Sequence, residues 1–103
     1  MKEIRILLIC GSGASSGFLA ANIRKAAKNR GLDVVVNARS EAEIENYVND
    51  IDCLLVGPHL AYLLEDVKRI IQDRPVKVAL IDKENYARLD GEKTLDQVLT
   101  LFE

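Results

Sequence analysis

Cys10 follows an apolar run, Ile4 to Ile9, and heads the segment Gly11-Ser12-Gly13-Ala14-Ser15-Ser16-Gly17. Glycines at 11, 13 and 17 free the backbone to curl so that several N–H groups point inward. The helix expected to follow aims its positive end at the same spot. A thiol in such an anion cradle is acidified, because helix N-terminal amides favour the thiolate, and the thiolate is the nucleophile. The side chains of Ser12, Ser15 and Ser16 offer hydroxyl donors beside it. The chemistry this pattern suits is attack by sulfur on phosphorus, with Cys10 carrying the phosphoryl group and residues 11 to 17 forming the phosphate-binding loop. The bland alternative is a small buried Cys10 with serines that only cap the helix.

Several phosphate-binding loops look alike, and spacing separates them. A nucleotide P-loop needs GxxxxGK[ST], which is absent. Gly11, Gly13 and Gly17 are one residue too widely spaced for the dinucleotide fingerprint, and Ala38-Arg39-Ser40 closes the second strand without an acid. The closest chemical rival is a cysteine phosphatase, whose loop reads C-x5-R-[ST]. Here Ser16 stands where that arginine belongs. Without the bidentate cation, much of the charge stabilisation for phosphate binding and hydrolysis is missing. Asp82 and Asp90 fit the required general acid by residue type only.

The elements that must position this loop follow from periodicity. Ile4 to Ile9 is nearly continuous in apolar residues, as a strand buried on both faces of a parallel sheet should be. Leu19, Ile23, Ala26 and Ala27 then recur at helical spacing up to a stop at Gly31. Val34 to Val36 make a short second strand, and Ser40-Glu41-Ala42-Glu43 reads as a capping box for a helix with Ile44, Tyr47 and Val48 on its apolar face. A third strand, Cys53 to Val56, ends at Gly57-Pro58. A helix from Leu60 to Ile71 carries Leu63, Leu64, Val67 and Ile70 on one stripe. Pro75 precedes a fourth strand, Val76 to Ile81. Asp82 caps a short helical turn through Tyr86, Asp90-Gly91 makes a turn, and Leu95, Val98, Leu99 and Phe102 face a terminal helix. The alternation βαβαβαβα implies an α/β fold, an open four-stranded parallel sheet with helices on both faces. In such sheets ligands bind at the carboxyl ends of the strands, where Cys10 lies.

Composition narrows the classes. With 103 residues, 29% charged and 49% hydrophobic, the chain fits one globular domain, residues 1–103. A net charge of −2 gives no general attraction to nucleic acid or anionic lipid. No apolar run approaches the roughly 18 residues of a membrane span, and Ile6 to Ile9 is too short for a signal core, so a cytoplasmic location is expected. Cys10, Cys53 and the single His59 form no zinc signature, and the reading calls for no metal and no cofactor. Cys53 opens its strand whereas Cys10 closes one. In adjacent parallel strands that four-residue offset is about 13 Å, beyond the roughly 7 Å limit for a disulfide, so Cys53 is expected in the core.

The Cys10-Gly11-Ser12-Gly13-Ala14-Ser15-Ser16 loop, together with Leu55-Val56-Gly57-Pro58-His59-Leu60-Ala61-Tyr62, resembles the IIB component of the bacterial phosphoenolpyruvate-dependent sugar phosphotransferase system, lactose/cellobiose type. The resemblance covers essentially the whole chain. It implies a flavodoxin-like fold of strand order 2-1-3-4, similar to the low-molecular-weight tyrosine phosphatases. It also implies a relay, in which a histidine-phosphorylated IIA component donates to Cys10. The phosphocysteine then passes the group to cellobiose or a related β-glucoside imported by the membrane IIC component. A carrier must keep its phosphoryl group until it meets a partner, so a loop without arginine suits transfer better than hydrolysis.

On this reading His59 is an exposed auxiliary residue near the phosphate or a partner, and Tyr62 packs in the core or at an interface. Arg24, Lys25, Lys28 and Arg30 offer a docking face for an acidic partner, against the alternative of a solvated helix face. The chain is expected to be a monomer. The alternatives are a low-molecular-weight cysteine phosphatase-like hydrolase and a non-enzymatic regulatory domain of flavodoxin-like shape.

Overall fold

The computed structural model describes residues 3–9 and 14–102. Four parallel strands, β1 (Ile4–Ile9), β2 (Val34–Arg39), β3 (Cys53–Val56) and β4 (Lys77–Leu80), form one sheet in the order β2-β1-β3-β4. This is the expected 2-1-3-4 arrangement. β1 is central and pairs on one side with β2, Ile9 opposite Arg39, and on the other with β3, Ile9 opposite Val56.

Because side chains alternate across a strand, β1 feeds two cores. Ile6 and Leu8 pack with Leu19, Ile23, Cys53, Leu55, Leu95 and Val98, under α1 (Ala14–Asn29) and α5 (Gly91–Leu101). Leu7 and Ile9 pack with Ile44, Val48, Leu54, Val56, Val67 and Ile71, under α2 (Ile44–Tyr47) and α3 (Leu64–Ile71). Burial on both faces explains why the strand sequence is apolar throughout except at Arg5.

α1 ends as Gly31 predicts. The residue takes φ +70°, its N–H reaches the Lys28 carbonyl at 3.1 Å, and Leu32 N–H reaches the Ala27 carbonyl at 2.9 Å. That pair of bonds is a Schellman closure, which only a residue without Cβ enters freely.

Five local expectations need correction. Ser40 makes no side-chain cap, and the segment behind it is a 3-10 turn, Glu41–Glu43, running into the single turn of α2. The helix expected from Leu60 begins at Leu64. Pro58–Leu63 is 3-10 wound with a kink at Leu60 (φ −111°, ψ 24°), a tighter winding that brings i and i+3 into line and turns Leu60 and Leu63 both toward the core. β2 continues to Arg39, three residues past its valines, and β4 is trimmed to Lys77–Leu80. Asp90-Gly91 is the start of α5 rather than a free turn, with the Asp90 carboxylate accepting from Lys93 N–H at 3.0 Å. Asp82 does cap α4 (Lys83–Ala87), accepting from the N–H groups of Glu84 and Asn85 at 3.0 and 3.2 Å.

Candidate functional site

Among the described candidates, Ala14 to Gly17 open α1 and His59 follows β3. Cys10, Gly11, Ser12 and Gly13 lie outside the described residues. The described chain leaves β1 at Ile9 and enters α1 at Ala14. Ala14, Ser15 and Ser16 are therefore helical, and their backbone N–H groups belong to the first turn, whose donors have no partner within the helix. Gly17 is also inside α1. A Cβ added there meets no atom within 4 Å, so close packing does not require a glycine at this position. Residues 14 to 17 present the first-turn N–H groups of α1. No acidic residue stands in that first turn, which leaves the positive end of a 16-residue helix uncompensated by its own side chains.

The next strand end is fastened to the first. Gly57 N–H donates to the Ile9 carbonyl at 2.8 Å, and Ile81 N–H donates to the Val56 carbonyl at 2.8 Å, so the segments after β3 and β4 are carried in step with the end of β1. Gly57 is buried while His59, two residues on, is exposed. The imidazole lies 5.4 Å from the Tyr86 ring, tilted by 45°. Pro58, His59, Lys83, Tyr86 and Ala87 line a cavity of about 530 Å³ at this edge. Lys83 was not singled out in the sequence. The signal for it was Asp82, since a cap that directly follows an apolar strand places the next residue at the carboxyl edge too.

Tyr62 is 72% exposed, which removes the core half of its expected role. Phe18, in the first turns of α1, is also largely exposed. The basic face of α1 is partly used within the fold. Arg30 pairs with Glu92 at 2.7 Å and Asp96 at 2.6 Å, and Arg24 donates to the Val36 carbonyl at 2.6 Å. The expected four-residue docking face is thus reduced, because α5 brings its acids against α1. Cys53 is fully buried opposite Ile6, four positions before Cys10 in the chain. Burial first, and the Asp52 charge second, push its thiol up to about 12. It is a core residue with no nucleophilic role.

The sequence from residue 5 to 97 matches the family model "PTS system, Lactose/Cellobiose specific IIB subunit". The chain belongs to this family. Its membership makes it a IIB phosphotransferase component of the sugar phosphotransferase system, in place of the hydrolase and the regulatory domain. The chain is 30% identical over 100 residues to the cellobiose-specific EIIB component of Lactococcus lactis, covering 92% of this chain and 93% of that one. It is 28% identical over 99 residues to the lactose-specific EIICB component of Lacticaseibacillus casei, where 94% of this chain spans 17% of the longer protein. Among solved structures, the lactose-specific IIB domain of Streptococcus pneumoniae superposes with a TM-score of 0.88 over 99% of this chain and 100% of that one, at 19% identity, a likeness of fold. No helix among the described residues is long and apolar enough to cross a membrane.

Proposed function

We propose that this IIB chain, taken as one domain over residues 1–103, carries its phosphoryl group on Cys10. What supports the reading is that in the chain Cys10-Gly11-Ser12-Gly13 follow directly on the doubly buried strand β1 and directly precede α1, in a member of this family. A phosphohistidine of a IIA component is the donor. The Cys10 sulfur attacks phosphorus, an S–P bond forms as the N–P bond breaks, and the thiol proton ends on the released imidazole. In the second step a sugar hydroxyl oxygen attacks the same phosphorus, the S–P bond breaks, and the hydroxyl proton returns to the thiol.

The amides of residues 11 to 17 receive the equatorial oxygens, with the hydroxyls of Ser12, Ser15 and Ser16 as added donors. His59 is an auxiliary donor from the neighbouring strand end. Tyr62, exposed beside it, serves partner contact. The acceptor side is a sugar held by a IIC membrane component, which the lactose-specific EIICB relative supports by its name. The chain then works at the cytoplasmic face of the membrane as a monomer. Cellobiose or a related β-glucoside is the sugar, in line with the cellobiose-specific relative.

The test is phosphorylation by phosphoenolpyruvate, the general relay proteins and a matching IIA, followed by intact mass. Wild type should gain one phosphoryl group and Cys10→Ser none. Equal labelling of the two would end the assignment to Cys10.

A further inference from the structure

The sheet has two open edges, β2 and β4. An open edge presents backbone N–H and C=O groups with which a strand of another chain can pair. Along a strand, successive residues turn both backbone groups alternately to one side and the other. Ile4 N–H donates to the Asp33 carbonyl at 3.0 Å, and Ile4 stands opposite Val34, so Val35, Asn37 and Arg39 turn toward β1. Val34, Val36 and Ala38 therefore turn outward. At the other edge, Lys77 N–H donates to the Asp52 carbonyl and Ile81 N–H to the Val56 carbonyl, so Leu80 and Asp82 turn away from β3.

Side chains stand where a further strand would bond. On β4, Gln97 of α5 uses both ends of its amide. Nε2 donates to the Leu80 carbonyl at 2.7 Å, and Oε1 accepts from Asp82 N–H at 3.4 Å. A residue of another parallel strand would make that same pair of bonds, to the carbonyl of one residue and the N–H of the second residue on. On β2, Arg24 of α1 donates through Nη1 to the Val36 carbonyl at 2.6 Å, and Arg39 donates through Nη1 to the Ala38 carbonyl at 2.8 Å. Both arginines are exposed. β2 is the edge more in need of such cover. It is six residues long against four for β4, it opens on three valines, and Val35 is 37% exposed. Long edges rich in β-branched residues are the ones that recruit a second chain.

We propose that Arg24 and Arg39 bar β2 from pairing with the β2 of a second copy of this chain. Pairing about a twofold axis would run the two strands antiparallel and join two four-stranded sheets into one. The arginines would have to give up their carbonyls. Guanidinium groups from both copies would also meet at one seam, where like charges repel. This rests on the reading of the chain as a monomer and gives that reading a cause. It is independent of which residue carries the phosphoryl group.

The test is sedimentation of the full chain, with hydrogen exchange of the Val34, Val36 and Ala38 amides as the local readout. Wild type should sediment as a monomer, with exchange at those amides independent of concentration. Replacing both residues, Arg24→Met with Arg39→Met, keeps apolar bulk and removes the donors and the charges. Each hydrogen bond from a charged donor is worth about tenfold, and a symmetric pair gives up at least one per copy, so the double variant should associate at least about a hundredfold more tightly. The three amides should gain protection as its concentration rises. Arg24→Lys with Arg39→Lys keeps the charges at the edge and should stay monomeric. The single methionine variants should fall between, and they carry the same readout where the double variant does not fold. Methionine variants as monomeric as wild type, association without protection of these amides, or a wild type that already pairs through them would each overturn the proposal. Wild-type association that leaves exchange at these amides unchanged removes only the monomer reading, provided the double variant still gains their protection.

Discussion

Gly91 sits where α5 starts against α1, and replacing it with alanine should destabilise the chain by about 3 kcal/mol. A Cβ at this position would lie 2.3 Å from the Asn22 carbonyl carbon, 2.4 Å from its oxygen and 2.7 Å from Ile23 N. These are backbone atoms of a 16-residue helix, so no rotamer change relieves the clash. The helices must part by roughly an ångström to reach ordinary contact, and fully buried Leu95 and Val98 would lose packing with the α1 side of the core. Overpacking in a tight core typically costs about 1–3 kcal/mol. The upper end applies because both sides are regular backbone, and because Asn22 Nδ2 also donates to the Leu89 carbonyl at 2.8 Å across this junction. For a domain near 100 residues, about 3 kcal/mol lowers Tm by roughly 12–24 °C. Gly17→Ala is the internal control, since its added Cβ meets nothing within 4 Å. Alanine is the better helix former there by up to about 1 kcal/mol. Urea unfolding and calorimetry of both variants decide the matter. A Gly91→Ala protein within about 0.5 kcal/mol of wild type, or equal losses at both glycines, would refute the argument from close approach.

Two further outcomes follow from buried groups. Thr94 Oγ1 is buried on α5 with no hydrogen-bond partner among the described residues, so Thr94→Val, which keeps the shape, should stabilise by about 1 kcal/mol and raise Tm. A lower melting temperature in calorimetry would show that the hydroxyl is satisfied after all. Cys53 links stability to alkaline pH, because its thiol is pushed from the ordinary 9.0 up to about 12 in the fold and the unfolded chain therefore gives up the proton first. That contribution is whole below about pH 9 and is lost as pH rises toward 12, by up to roughly 4 kcal/mol. Urea titrations from about pH 8 to 11 should show wild type losing stability more steeply than Cys53→Ala, and parallel slopes would count against the cause.

The strand and helix alternation is legible in the sequence because strands buried on both faces leave nearly continuous apolar runs. Ile4–Ile9 and Cys53–Val56 announce themselves this way, and their boundaries match the structure. Gly31 and Asp82 are legible for a local reason, since a left-handed stop and a cap each involve only a few neighbouring residues. Where the sequence misleads, the deciding contact is distant. Ser40 has the pattern of a cap, but the chain behind it is 3-10 wound and the side chain makes no cap bond. Arg30 reads as part of a free basic face until α5, some 60 residues later, sets Glu92 and Asp96 against it. Gly91 reads as a turn glycine because the α1 backbone that requires it is invisible to any local window.

The elements on either side of residues 10–13 are firmly held. Ile9 is held through Leu7 and Ile9 to one core, through Ile6 and Leu8 to the other, and through its carbonyl to Gly57 N–H. α1 is held by Gly91 at the α5 junction and by Arg30 on the α5 acids. The residues that differ in chemistry along the carboxyl edge of the sheet, Arg39, His59 and Lys83, are all exposed. They add little to either core, so exchanging them should leave the fold intact. A charge at a strand end is tied to the scaffold by register, and register does not depend on which side chain is there.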